Sequence, residues 1–252
     1  MALFTDGLIA ALDDLKAYES SVLDTASTEG INVEAKLGLA QREISFEIGA
    51  FLMRHGVHLS ADQKLDKVVV TEPLLHWHCL HTLELIYRDA YNSQLNDRHQ
   101  GKWREYTHLS RRTMDLVLNV GIGINSDPLP KSKAPTVTST LGGSLVPATL
   151  YFATAWAARS GATGRSSDPS TITLLTGELA QVLSDTNSPL NATGWFLYAG
   201  ESAAEMKRQN ETPLPMGSTW VDSGTGLRTE LSSIPEQGPD YYVKHRREWL
   251  RG

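Results

Sequence analysis

The densest group of metal-ligating and acid–base side chains in this 252-residue chain is His76-Trp77-His78-Cys79-Leu80-His81. Three imidazoles and a thiol could in principle hold a zinc ion or relay a proton. Their spacing argues against a complete site. On a helix turning about 100° per residue, His76 lies roughly 160° from His78, while His78 and His81 are about 60° apart, so at most two converge. A structural zinc takes about four ligands and a catalytic one about three, and neither Cys79 nor Glu84 completes a known spacing. Helix-face or interface histidines are therefore expected, with no metal. Gly121-Ile122-Gly123-Ile124 does not read as a phosphate loop, because no strand precedes it and no helix follows. With no nucleophile, base or metal set at a supporting spacing, the expectation is no catalytic residue, no cofactor and no enzyme.

The elements that would position these residues come from apolar periodicity. Leu8 to Tyr18 reads as a short helix, and Thr25 to Gly30 as a loop. In the next helix Val33, Leu37, Ala40, Ile44, Ile48 and Phe51 recur at steps of three and four, and the helix ends near Gly56. Leu39, Phe46 and Met53 lie with Ala35 and Ala50 on a second apolar stripe, about 200° around from the first. Either this helix sits centrally in its own bundle or the second stripe faces another subunit. Ser60 and Gln63 have capping-box spacing, and Val68 to Val70 reads as extended. Thr71 caps a third long segment with Pro73 in its first turn and Leu75, Cys79, Leu83, Ile86 and Ala90 as its core stripe. A last helix runs from about His99 to Val120. Lys102, Arg104, Arg111 and Arg112 give it a basic face, which is either a patch for an acidic partner or a solvated surface.

From Ala134 to Gly200 the only charged residues are Arg159, Arg165, Asp168, Glu178 and Asp185, and the pattern changes to period two. Leu150, Phe152 and Trp156 face one way, Tyr151, Ala153 and Ala155 the other. Thr171 to Leu175, Trp195 to Ala199 and Thr219 to Val221 read as further strands between turn signals, which suggests an Ig-like β-sandwich. Aromatic residues at a loop mouth would mark a binding module, with Trp220 and Tyr198 the candidates, although alternating strand aromatics commonly belong to the core. The fold class expected is α + β in separate domains: a helical domain over 1–126, a linker over 127–135, a sandwich over 136–232 and a tail over 233–252.

Residues 1–130 carry 12 Lys/Arg against 18 Asp/Glu, and 131–252 carry 11 of each. An acidic helical half cannot displace counterions from a phosphate backbone, so stable DNA binding is not expected. The lone Cys79 forms no internal disulfide and suits core packing in a reduced compartment. No apolar run approaches the roughly 20 residues that span a bilayer, and nothing N-terminal has signal-peptide character. A soluble protein made in the cytoplasm, with no membrane association, is expected. The tail is basic and aromatic: Tyr241, Tyr242, Lys244, Arg246, Arg247, Trp249 and Arg251 have interface hot-spot composition. It could dock a partner, pack back on its own helices or remain disordered.

Two sets of residues carry a family resemblance. Thr149 to Trp156, Asn191 to Gly200, and Arg208-Gln209-Asn210 leading to Pro213 to Trp220 and Thr225-Gly226-Leu227 resemble the fibronectin type III or Ig-like domain appended to tailed-bacteriophage virion proteins. Ser160-Gly161-Ala162-Thr163-Gly164 replaces the Gly-acid-Gly turn usual there. Tyr91 through Tyr106, with Asp97 to Trp103, is similar to phage head-to-tail connector adaptors. The resemblance implies a homo-oligomeric ring, usually a dodecamer, at the virion neck beneath the portal protein, continuing the DNA channel to the next tail component. It also implies that DNA passes without sticking to an acidic wall. The portal-docking tail would then be the residues named above, and the subunit interface Leu39, Phe46, Met53, Arg104, Arg111 and Arg112. The alternative is a binding module whose sandwich attaches tail fibres, host glycan or capsid.

Overall fold

A computed structural model describes residues 1–57, 65–94, 97–143, 146–222, 226–228 and 236–245. It contains both helices and sheets and divides into two compact units. One is Met1–Asp6 with Asp127–Gln237; the other is Gly7–Ser126 with the chain from Gly238. Three segments therefore differ from the expected boundaries, the first being residues 127–135, expected as a linker, which belong to the β unit with Leu129 in its core and Ser132 buried. The first six residues belong to the β unit, where Leu3 and Phe4 are buried and the Asp6 carboxylate accepts from the amides of Leu3 and Lys131, each at 2.7 Å. The described part of the tail after Gln237 belongs to the helical unit.

In the helical unit, α1 (Leu12–Tyr18) begins later than expected, and of the segment read as a loop, Thr25 to Gly30, the part up to Thr28 belongs to α2 (Val22–Thr28). Then come α3 (Val33–Arg54), α4 (Glu72–Gln94), a 3-10 turn (Asp97–His99) and α5 (Gln100–Val120). Asn32 caps α3 by accepting from the Ala35 amide at 3.0 Å, and Gly56 at φ 73° follows its end. Leu37, Ala40, Ile44, Ile48 and Phe51 are buried along it. The central helix is α4: Cys79, Leu83, Ile86 and Ala90 are buried on one side, Leu74, Trp77, His78 and Leu85 on others. The core gathers Leu15, Val22, Leu37, Cys79, Leu83, Ile86, Tyr87 and Tyr106. Ser60 and Gln63 lie outside the described residues.

Gly121, at φ 113°, turns the chain from α5 into β1 (Ile122–Ile124). A Cβ there would stand 2.7 Å from Lys244 Cγ, so glycine is needed for both conformation and space. β1 carries Ile124 opposite Val68 in an isolated bridge, and its other edge pairs antiparallel with a strand of the tail, Tyr241–Val243.

The β unit has two sheets. The strands are β2 (Thr136–Leu141), β3 (Ala148–Ala158), β4 (Ser170–Leu174), β5 (Glu178–Leu183), β6 (Ala192–Gly200), β7 (Lys207–Arg208) and β8 (Thr219–Val221). The tail strand Tyr241–Val243 is β9. One sheet has the order β2-β5-β8 and the other β4-β3-β6-β7, every pairing antiparallel. A single cluster unites them: Leu150, Phe152, Trp156, Leu174, Trp195 and Leu197 from one sheet, Ala180 and Val182 from the other. On the opposite face of β3, Ala153 pairs with Tyr198 and Ala155 with Phe196, whose ring Arg208 covers at 5.5 Å. Trp220 packs toward the core, 6.2 Å from Phe152, whereas Tyr198 sits on the outer face of its sheet.

Candidate interaction site of the helical unit

The residues with the strongest claim to function are side chains that a folded unit has reason to bury and does not. Phe46 is 76% exposed and Met53 52%, with Leu39 half-buried beside them. Taking Leu37 and Ile48 as the core side of α3, Phe46 and Met53 lie about 140–180° around the helix, away from the core. Among the described residues nothing covers that side of α3, and α4 occupies the central position. Arg42 borders the apolar stripe on one side and Glu43 on the other, with Arg54 and Glu47 farther round beyond Glu43.

α5 presents a second uncovered face. Arg104, His108, Arg111 and Arg112 are exposed, and Arg104, Arg111 and Arg112 have no ion-pair partner among the described residues. Glu105 and Asp115 are exposed among them, and Leu116 (57% exposed), one turn beyond Arg112, and Val120 (44%), about 180° around the helix from Arg111, form a separate apolar edge. Lys102 is not part of the arginine face. Its ammonium is paired with Glu19, which also accepts from Tyr106 Oη at 3.0 Å and Ser21 Oγ at 2.6 Å. Burial works to raise the Glu19 pKa, but hydrogen bonds from Lys102, Ser21 and Tyr106 outweigh it and bring the carboxyl to about 2.

The histidine run does not form a cluster. His76 Nδ1 lies 2.8 Å from Tyr18 Oη, and His78, fully buried, reaches the Leu37 carbonyl through Nε2 at 3.1 Å. Burial pushes the His78 pKa down to about 4, so its imidazole is neutral at physiological pH. Its Nδ1 has no partner among the described residues. His81 bonds Glu43 through Nε2 at 2.7 Å and Glu84 through Nδ1 at 3.1 Å, joining α3 to α4. Burial alone would lower its pKa, yet the two carboxylates hold it above the usual value.

Ser110 Oγ, from α5, stands 3.3 Å from the same Nδ1, so serine, histidine and glutamate fall in the order of a hydrolytic triad. Glu84 meets that nitrogen at shorter range, Glu43 holds the other, and Ser110 is only 3% exposed. The group ties three helices together. Burial also raises the Cys79 thiol to about 12, leaving it without thiolate character. Among the described residues no three His, Cys, Asp or Glu side chains converge on one point as metal ligands.

Of the expected tail site, Tyr241 (47% exposed) and Tyr242 (45%) are in β9, and Lys244 Nζ lies 6.0 Å from the Tyr242 ring. This described part packs back on the helical unit. The His245 amide donates to the Leu118 carbonyl at 3.3 Å, and its ring meets Phe51 edge-on at 5.0 Å. Arg246, Arg247, Trp249 and Arg251 lie outside the described residues.

Comparison with protein-family models, with curated proteins and with solved structures finds no match to this chain. No helix among the described residues is long and apolar enough to cross a membrane.

Proposed function

We propose that the chain is a structural virion protein, a head-to-tail adaptor that assembles with copies of itself into a ring beneath a phage portal and continues the DNA channel to the next tail component. The observation that carries this reading is the apolar stripe of α3, held in solvent on the side of the helix away from its core. A large apolar ridge at such a position is a contact surface waiting for a partner. The acidic excess of the helical half supports a channel wall that repels a phosphate backbone. The sheet orders β4-β3-β6-β7 and β2-β5-β8 around one core support an Ig-like outer module.

The portal-docking part of the tail is its end. β9 closes the helical unit, and Tyr241, Tyr242 and Lys244 prolong a docking surface that Arg246, Arg247, Trp249 and Arg251 complete. The chain truncated after His245 should therefore stay folded and self-assemble yet fail to co-purify with the portal. Retained portal association would defeat the tail assignment, and cryo-EM of the parent particle showing no density for this chain at the neck would defeat the adaptor reading.

A second reading rests on a separate observation. At one end of the sandwich a cavity of about 850 Å³ is lined by Val146, Leu150, Leu174, Ala199 and Leu227, with Lys207, Arg228, Glu201 and Glu205 beside them. This suits a binding module for a tail fibre, glycan or capsid. Particles carrying Leu227→Trp, which fills the cavity, should lose fibre or host attachment on this reading and keep it on the first.

A further inference from the structure

The two sheets of the sandwich end in four edge strands, β2 and β8 in one and β4 and β7 in the other. They are not equally protected. β7 is two residues long and both are basic, and β8 is only three. Shortness and charge both deter an edge from pairing with a neighbouring molecule. β2 has neither. It runs for six residues, Thr136-Val137-Thr138-Ser139-Thr140-Leu141, with no charge, no proline and no shift in its register with β5. Among the described residues its other edge meets no strand.

The inner face of β2 is also incompletely covered. Val137 and Ser139 stand opposite Val182 and Ala180 of β5, both in the core, and Leu141 continues that face yet is 84% exposed. The other uncharged edge, β4, lacks this defect, since its inward Leu174 is buried.

The sequence of β2 names the occupant. About Thr138, the run Thr-Val-Thr-Ser-Thr reads nearly the same in either direction, with threonine at both ends and at the centre. Antiparallel pairing with a second copy across a two-fold axis at Thr138 sets Thr138 against its own counterpart. Thr136 then faces Thr140, and Val137 faces Ser139, each twice. Cross-strand threonine pairs are favourable, and the sandwich already holds one, Thr149 Oγ1 to Thr173 Oγ1 at 3.0 Å between β3 and β4. Leu141 falls beside Pro135 of the other copy, whose missing N–H ends the ladder. The charges flanking this edge are engaged within the unit: Lys131 with Asp168 at 2.6 Å, Lys133 with Asp185 at 3.8 Å, and Glu178 with the Leu175 amide at 2.9 Å and Ser139 Oγ at 3.3 Å. The axis sets the lysine end of one strand against the Glu178 end of the other, so no like charges meet.

We propose that β2 is a self-association edge that joins the sandwiches of two copies into one sheet of order β8-β5-β2-β2-β5-β8. Such a contact is isologous and closes after two copies. It rests on the β unit alone, independently of any ring built by the helices.

Cysteine cross-linking of the full-length protein reads the register, because the native Cys79 is buried and does not compete. Thr138→Cys forms a covalent dimer on oxidation, since residues directly opposite in an antiparallel pair have Cβ atoms about 4.5–5.5 Å apart, within small adjustments of a disulfide. Thr136→Cys and Thr140→Cys, each displaced along the strand from its own counterpart, stay uncross-linked alone and cross-link when mixed. Thr138→Lys opposes two charges across the axis and halves the particle mass in analytical ultracentrifugation at high protein concentration, whatever assembly the helical unit makes, while Thr138→Val leaves the mass unchanged. Circular dichroism checks that each variant is folded. Equal cross-linking at all three positions, none at any of them, or a mass that Thr138→Lys leaves unchanged overturns the proposal. Cross-links from Thr138→Cys to a different virion protein overturn it too and give the edge to that protein. Loss of the β2 contact leaves the adaptor reading standing, and absence of the chain from the neck leaves the β2 contact standing.

Discussion

His78 offers the sharpest test of the helical core, because burial outweighs the hydrogen bond to Leu37 in setting its protonation. Unfolded, its imidazole titrates near the ordinary 6.5; folded, burial between α4 and the Leu37 carbonyl holds it at about 4. The folded state therefore binds fewer protons than the unfolded chain throughout that interval. Stability from His78 is fully present above the unfolded value and is lost as pH falls toward the folded one. Each unit of difference corresponds to about 1.4 kcal/mol, so wild type forfeits roughly 2 kcal/mol by pH 5 and about 3 kcal/mol by pH 4. His78→Gln keeps an amide that can donate to Leu37 and cannot titrate. Urea unfolding followed by far-ultraviolet circular dichroism, at neutral pH and at pH 5, should show the variant less stable at neutral pH and the gap closing by about 2 kcal/mol on acidification. The acid losses of Glu19 and Glu84 are common to both proteins and cancel in the comparison. Parallel losses in the two proteins would mean that His78 is solvated in solution and that the packing described for α4 is wrong.

Lys102→Met leaves the carboxylate of Glu19 buried with only Ser21 and Tyr106 as donors; since Lys102 is partly exposed, a loss of roughly 1–2 kcal/mol in urea unfolding of the helical unit is expected. Trp195→Ala in the sandwich core should cost about 3–5 kcal/mol and lower the melting temperature of the β unit, because Trp195 is fully buried and its Nε1 donates to the Pro215 carbonyl at 3.0 Å. Gly121→Ala forces a side chain into a left-handed position and against Lys244; it should destabilise the β1–β9 pair by more than 1 kcal/mol and speed amide hydrogen exchange at Val243.

The long helices were legible because burial on one side of a helix leaves a mark at every third or fourth residue, and α3 and α5 carry that mark throughout. α2 left too little of it: only Val22 and Ala26 are buried, among serines and threonines that read as a loop. Among the strands, β3, β6 and β8 were evident from alternation with aromatics. β2, with four of its six residues exposed, and the two-residue β7 carry almost no periodic signal. β9 was illegible for a different reason. Three residues make a strand only because β1 waits for them more than a hundred positions earlier, and nothing local records that partner. The site divides in the same way. The second stripe of α3 and the arginines of α5 could be read from spacing, but the removal of Lys102 from the basic face depends on Glu19, and the setting of His81 on Glu43, both distant in sequence.

The way the chain closes each unit has a consequence for its synthesis. β1 leaves the ribosome with one edge unpaired, and the strand that covers that edge is made only after the whole sandwich. The helical unit must therefore wait, incompletely sealed, while more than a hundred further residues are translated. The sandwich meanwhile depends on the opening residues of the chain, since Met1 donates to the Gln237 carbonyl at 2.9 Å and the Gln237 side chain bonds both the amide and the carbonyl of Leu129. Expressed as contiguous fragments, each half lacks a piece held by the other. The two halves should be recovered in folded form only when translated as one message, or when the missing strand is supplied in trans as a peptide.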